Sequence, residues 1–208
     1  MPQTLDLTTW ERKSHFDFFR TFEEPFFGVC VEVDCTTAYR KAKELNTSFF
    51  LYYLYQSVRA VNEIESFRYR IVGDDVLIHE QVGASATINR ENGTFGFSYI
   101  PYAESFREFE QGAKAEIARV RSTDELIPSE AAENVIHYSS MPWIKFTSVS
   151  HARSFSHPDS VPKISFGKMT EVGDKKLMPL SIHVHHALMD GYHVGQHIDR
   201  FQELLNED

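Results

Sequence analysis

Five histidines fall within fifteen residues near the end of this chain, and the stretch His183-Val-His-His-Ala-Leu-Met-Asp-Gly-Tyr-His193 contains a His-His-x-x-x-Asp-Gly signature. An imidazole with an ordinary pKa of about 6.5 can be neutral at neutral pH and accept a proton, as activation of a hydroxyl nucleophile requires. His186 is therefore the first candidate for a general base; the other reading of a histidine beside a strand end is a polar core residue with its hydrogen bonds satisfied. Asp190, four residues on, could orient that imidazole as a carboxylate does in a hydrolase triad. It could equally point away and pair with a buried cation that holds the turn closed. A metal is the other chemistry that clustered histidines suggest. His183 and His185 share a strand face, which turns His186 to the opposite one, and no acidic or cysteine ligand completes a tight set. No metal is expected, and most of the histidines other than His186 are expected at the surface or at the junction.

The elements that must position this motif are a strand and a helix. Leu177-Met-Pro-Leu-Ser-Ile-His-Val184 is apolar and β-branched, while Val194, Ile198, Phe201, Leu204 and Leu205 recur at helical spacing through a helix from about Tyr192 to Asn206. Gly191 is expected to permit the turn between them. Upstream, His15 to Phe22 reads as a short amphipathic helix and Phe27 to Val33 as a strand. Thr36 or Thr37 would cap a helix to Leu45, and Phe49 to Ile64 would form an apolar one. Gly73-Asp-Asp75 marks a hairpin between Phe67–Val72 and Val76–Glu80, and strands are expected at Ala84–Asn89 and Thr94–Ile100 around Glu91-Asn-Gly93. Ser105 to Ser122 is helical in pattern, and a turn-rich stretch around Pro128 follows. Further strands are expected at Val135–Ser139, Phe146–Ser150 and Ile164–Glu171, then a turn at Gly173-Asp174. This interleaving predicts an α/β fold: a two-layer α/β sandwich with a large mixed, mostly antiparallel sheet, in one domain spanning residues 1–208.

Composition narrows the partners. A net charge of −9 argues against a nucleic-acid or anionic-membrane partner, both of which want a basic face. With 42% hydrophobic residues and 17 phenylalanines the chain can fill a sizeable core. No stretch approaches the length of a membrane span and the N-terminus lacks a signal-peptide pattern, so a cytoplasmic location is expected. Cys30 and Cys35 sit at odd spacing in one strand-like run, which puts them on opposite faces as structural thiols and not as a disulfide.

Three segments in order carry a family resemblance. Gly173 to Val194, with the motif above, is similar to the C-terminal signature of the chloramphenicol acetyltransferases. Trp10-Glu-Arg-Lys-Ser-His-Phe16 resembles their N-terminal element, and Ser139-Ser-Met-Pro-Trp-Ile-Lys-Phe-Thr-Ser148 resembles their Ser-x-x-Pro-Trp segment. The resemblance implies an acetyl-CoA-dependent O-acetyltransferase working through a ternary complex, with acetyl-CoA as co-substrate and no bound cofactor. His186 would deprotonate the acceptor hydroxyl, that of chloramphenicol or a related xenobiotic, and Ser139 would donate to the oxyanion. Asp190 would pair with Arg12 as a brace, and the His186 tautomer would be fixed by its own backbone carbonyl. Ser165 would assist through water, while Phe18, Phe19, Phe26 and Phe95 would line the acceptor pocket. Lys168 and Trp143 would lie along the CoA arm. Val149 and His151 depart from the family's bulky apolar wall, and Ala86 stands where a threonine is usual. Family members are homotrimers with active sites between subunits. The same motif also resembles the acyltransferases of 2-oxo acid dehydrogenase complexes and peptide-synthetase condensation domains, which use lipoamide or carrier-bound donors. A non-catalytic CoA-binding relative would keep the same fold.

Overall fold

The computed structural model describes residues 2–126, 133–154 and 159–207, so the stretch expected around Pro128 lies outside it. The chain opens with β1 (Gln3–Thr4), α1 (Lys13–Phe19) and β2 (Phe26–Asp34). A helical pair follows, α2 (Thr36–Glu44) and α3 (Phe49–Asn62), then a short 3-10 turn at Glu65–Arg68. Two hairpins come next, β3 (Tyr69–Val72) with β4 (Asp75–Ile78), and β5 (Gly83–Asn89) with β6 (Phe95–Phe97). Both turn where a glycine takes a positive φ, Gly73 at 62° and Gly93 at 81°. The chain continues through α4 (Phe106–Ser122), β7 (Val135–Ser140), β8 (Lys163–Phe166), β9 (Thr170–Val172) and β10 (Lys175–His185) to α5 (Gly191–Leu205).

The expected two-layer α/β sandwich forms. Its main sheet runs β2-β10-β8-β7-β5-β6, with β9 beside β10, while β1, β4 and β3 make a separate small sheet. β8–β7 and β7–β5 are parallel and the other main-sheet pairings are antiparallel, so the sheet is mixed. One residue parity faces the helices: Val33, Ile136, Tyr138, Ile164, Phe166, Leu180, Ile182 and Val184 are all buried in one core with α2 to α5. Each such side chain contributes about 1.5–3 kcal/mol of burial. The opposite parity is polar, with Ser139, Ser165, Ser181 and Cys30 aligned across four strands, and His137, Lys163, His183 and Gly28 aligned beside them.

Several expected elements differ. Phe146–Ser150 forms no strand: Phe146 alone tucks in beneath Gly167, and Thr147 and Ser148 stay exposed without a partner strand. The strand expected at Ile164–Glu171 breaks at Gly167, where the chain leaves the β8 ladder before pairing again as β9. Neither Thr36 nor Thr37 caps α2. Cys35 occupies that position, and the Asp34 carboxylate accepts the Thr36 N–H at 3.0 Å and its hydroxyl at 2.5 Å. Cys35 thus lies beyond β2, fully buried, while Cys30 is half-buried on the polar face, and both thiols are free.

Candidate active site

His186 sits one residue past β10, and every hydrogen-bonding group around it has an assigned direction. Its N–H donates to the Pro25 carbonyl at 2.8 Å, and its carbonyl accepts from Arg12 Nη2 at 3.3 Å. The ring Nδ1 lies 3.2 Å from the Met189 carbonyl. A carbonyl can only accept, so Nδ1 carries the proton and Nε2 presents a lone pair. The resemblance implied that the residue's own carbonyl would fix this tautomer. The structure assigns that task to Met189, because residues 185–189 close a turn (Met189 N–H to His185 O, 3.2 Å) while Arg12 occupies the His186 carbonyl. Phe19 stacks on the imidazole at 3.9 Å between centroids and 24° between planes, and Phe27 tilts against it at 4.7 Å and 55°. Phe18 packs on Phe19 and is 60% exposed.

Asp190 does not touch the His186 ring. It is the N-cap of α5, where Oδ1 accepts the Tyr192 N–H at 3.0 Å, and Oδ2 meets Arg12 Nη1 at 2.5 Å. His193 Nδ1 lies 2.9 Å from the same carboxylate. Burial works to raise this carboxyl, but the bonds from Arg12 and His193 outweigh it and hold Asp190 at about 2. Arg12 therefore ties the α5 cap and the His186 carbonyl together in one contact set. Gly191, expected to permit the turn, keeps a negative φ with open space at its Cβ position, so the turn does not depend on it.

The other histidines are not surface residues as a group. His185 is 5% exposed, with burial foremost holding it at about 4. His197 is fully buried between Phe67 and Phe201 with neither ring nitrogen bonded, and desolvation holds it at about 3. Their register explains the difference: α5 turns His197 inward with Val194 and Phe201, and β10 ends with His185 packed on Phe26 at 5.3 Å. Among the described residues no group of three or more His, Cys, Asp or Glu side chains is placed to hold a metal ion.

Ser139 lies on the polar face of the sheet, directly across from Ser165, which is across from Ser181. Ser181 is five residues before His186 on β10. At about 3.3 Å per residue and about 4.8 Å per strand, Ser139 and His186 are on the order of 15–20 Å apart within one chain. Ser165 is fully buried, and its Oγ lies 3.4 Å from His151 Nε2. His151 opens onto a 230 Å³ pocket lined by Glu24, Phe26, Gly28, Ser150, Arg153, Lys163 and His183. The His183 ring packs over Gly28, where any Cβ would stand 2.3 Å from its Nε2, and the Val149 backbone hydrogen-bonds the same ring.

The remaining expected residues are dispersed. Phe95 is 45% exposed on β6, at the opposite edge of the sheet from β2, the strand that carries Phe26. Ala86 is buried on the helix side, away from the polar pocket. Lys168 lines a larger cavity of 770 Å³, together with Lys114, Arg121, Ser140, Pro142 and the aromatic rings of Phe49, Phe50 and Tyr53. Trp143 is outside that lining and 66% exposed. Sequence reasoning did not pick out Phe27, Glu24, Arg153, Lys163, Lys114 or Arg121. The polar parity of β8 was the one available signal, since a lysine and a serine two apart in an apolar strand share a face.

The profile of the chloramphenicol acetyltransferase family matches residues 2–202. Chloramphenicol acetyltransferase 3 of Escherichia coli is 30% identical over 204 residues, which cover 97% of this chain and 96% of the relative. A solved chloramphenicol acetyltransferase structure superimposes with a TM-score of 0.90 at 32% identity, covering 99% of this chain and all of its own. The dihydrolipoamide acetyltransferase of Azotobacter vinelandii, at TM-score 0.70 and 16% identity over 93% of this chain and 86% of its own, is alike in fold alone.

Proposed function

Because this chain belongs to the chloramphenicol acetyltransferase family, we infer that it transfers the acetyl group of acetyl-CoA to a hydroxyl, with His186 as the base. The observation that carries this reading is the His186 ring itself: one nitrogen committed to the Met189 carbonyl, the other free, and the rings of Phe19 and Phe27 packed against the imidazole. His186 Nε2 takes the acceptor's proton as its oxygen attacks the thioester carbonyl. A C–O bond forms, the Ser139 hydroxyl donates to the resulting oxyanion, and the C–S bond then breaks. The proton held by His186 passes to the departing CoA thiolate, so no acyl-enzyme is needed. Ser165 assists at the oxyanion through water. Arg12 and Asp190 act on His186 by holding the turn, which makes them positioning residues.

A reaction needing both His186 and Ser139 cannot run across 15–20 Å, so we propose that one chain supplies the base and a neighbour supplies Ser139 and the acceptor pocket in a homotrimer. The exposed Phe18, Trp143 and Ile144 support such packing. The 770 Å³ cavity suits acetyl-CoA, with Lys114, Arg121 and Lys168 for phosphates and Phe49, Phe50 and Tyr53 for the apolar parts of the arm. In this reading residues 1–208 act as one catalytic domain. No helix among the described residues is long and apolar enough to cross a membrane. Two free thiols suit the reducing cytoplasm, where we place the reaction.

The test is His186→Ala, read as CoA thiol release with a panel of alcohols. The expected loss in kcat/KM is about 10²–10⁴-fold with folding intact, in line with the contribution of a general base. Activity surviving within tenfold of the wild type would falsify this mechanism.

A further inference from the structure

We propose that the acceptor is a compact, neutral, polyhydroxylated molecule of the sugar or polyol class, bound in the pocket formed by Phe26, His151, Lys163 and His183. This rests on the acetyltransferase reading above and names its second substrate. The pocket adjoins the reaction centre through Ser165, which touches His151 and stands directly across the β7–β8 pairing from Ser139. An acceptor seated there has its hydroxyl beside the oxyanion donor.

Three observations fix the class. The first is the state of the aromatic ring. Arg153 lies 3.9 Å from the Phe26 centroid, Lys163 lies 4.5 Å from it and His185 packs edge-on at 5.3 Å, so a flat aromatic acceptor stacking on this ring would have to compete with cations already seated over it. The second is charge. Arg153 is paired with Glu24, and Lys163 is paired with Asp159 at 2.5 Å. An anionic acceptor would have to displace a carboxylate already in place, and neither pair leaves a net charge for it to neutralise. The third is the pair of imidazoles. Burial, reinforced by His183 and Lys163, holds His151 at about 4, and burial also lowers His183 despite its Val149 bond. Both are neutral at neutral pH; His183 already meets the Val149 backbone and lies 3.4 Å from Ser181 Oγ, and His151 meets Ser165 through Nε2, so His151 Nδ1 is the ring nitrogen left to exchange a hydrogen bond with a ligand hydroxyl. The volume agrees: 230 Å³ is below the ~300–1,000 Å³ of pockets that take drug-sized ligands. A site built to hydrogen-bond hydroxyls rejects an analogue without them strongly, because its own polar groups are left unpaired.

The experiment compares methyl glucoside, glycerate and chloramphenicol as acceptors by CoA thiol release, with binding of each measured by calorimetry without acetyl-CoA. The wild type is expected to favour methyl glucoside over the other two by at least tenfold in kcat/KM. His151→Leu is expected to lose at least tenfold toward methyl glucoside and to narrow the gap to chloramphenicol, whereas His151→Gln, which keeps hydrogen bonding, stays within threefold of the wild type. Preference for chloramphenicol or glycerate, or an unchanged acceptor ratio in a folded His151→Leu, overturns the proposal. Methyl glucoside binding that His151→Leu abolishes, without transfer to any alcohol, supports the pocket assignment and overturns the acetyltransferase reading instead. Neither binding nor transfer overturns both.

Discussion

His186 and His183 are three residues apart and each lies near phenylalanine, yet they occupy opposite kinds of surroundings. Around His186 the rings of Phe19 and Phe27 face the imidazole itself, and a backbone carbonyl takes one nitrogen, so a single lone pair emerges from an apolar setting. Around His183 the nearby Phe26 ring is covered by Arg153 and Lys163, and His151 meets His183 edge-on at 4.9 Å. The difference teaches that residue type does not set the chemistry of a ring; what covers it does. In the proposed reaction the first region would move a proton, and the second would recognise the acceptor by hydrogen bonds.

The sharpest way to probe this contrast is to remove the hydroxyl that would serve both regions. Ser139→Ala should lower kcat by about 10²–10³-fold, the usual cost of losing an oxyanion donor, while leaving the acceptor KM nearly unchanged. A KM effect without a kcat effect would place Ser139 in recognition and collapse the division between the two regions.

The next largest effect concerns His197, where an aromatic setting is carried to full burial with no hydrogen bond at all. Its ordinary pKa of 6.5 falls to about 3 in the folded chain. The unfolded chain therefore binds a proton that the folded one refuses. Its stabilising contribution is complete above pH 6.5 and is lost as pH falls from 6.5 toward 3. Melting temperature should drop steeply over that range, with the half-buried His151 and buried His185 adding to the loss. His197→Leu should flatten the dependence by about 1.4 kcal/mol per pH unit. Identical slopes for variant and wild type would show that His197 does not titrate in this way.

Gly28→Ala is the mildest probe. The added Cβ would meet the far end of the His183 side chain, so the ring swings aside and the backbone stays. The chain should fold, and the acceptor KM should rise by less than about tenfold with the acetyl-CoA KM unchanged. An unaltered acceptor KM would remove His183 from the recognition surface.

Much of this architecture is legible in local pattern. Val194, Phe201, Leu204 and Leu205 announce α5 by spacing alone, and Gly73 and Gly93 announce their hairpins because positive φ is cheap only for glycine. Phe146–Ser150 misleads, since alternation describes a strand only when another strand is there to pair with it, and among the described residues none does. The same limit applies to the site. The motif at His186 can be read because its parts are adjacent in the chain, whereas Glu24, Arg153 and Lys163 meet only after β2, β8 and the loop between β7 and β8 converge.

The sequence by itself determined the strand-to-helix junction, the imidazole at its apex and the Arg12–Asp190 partnership implied by matching segments far apart in the chain. Only the tertiary structure decided that the Met189 carbonyl holds the His186 tautomer, that cations cover Phe26, and that Ser139 stands two strands away from the base it would serve. The physical reason is that hydrophobic periodicity is a property of one segment, while hydrogen-bond direction, ring coverage and distance are properties of pairs brought together by sheet register.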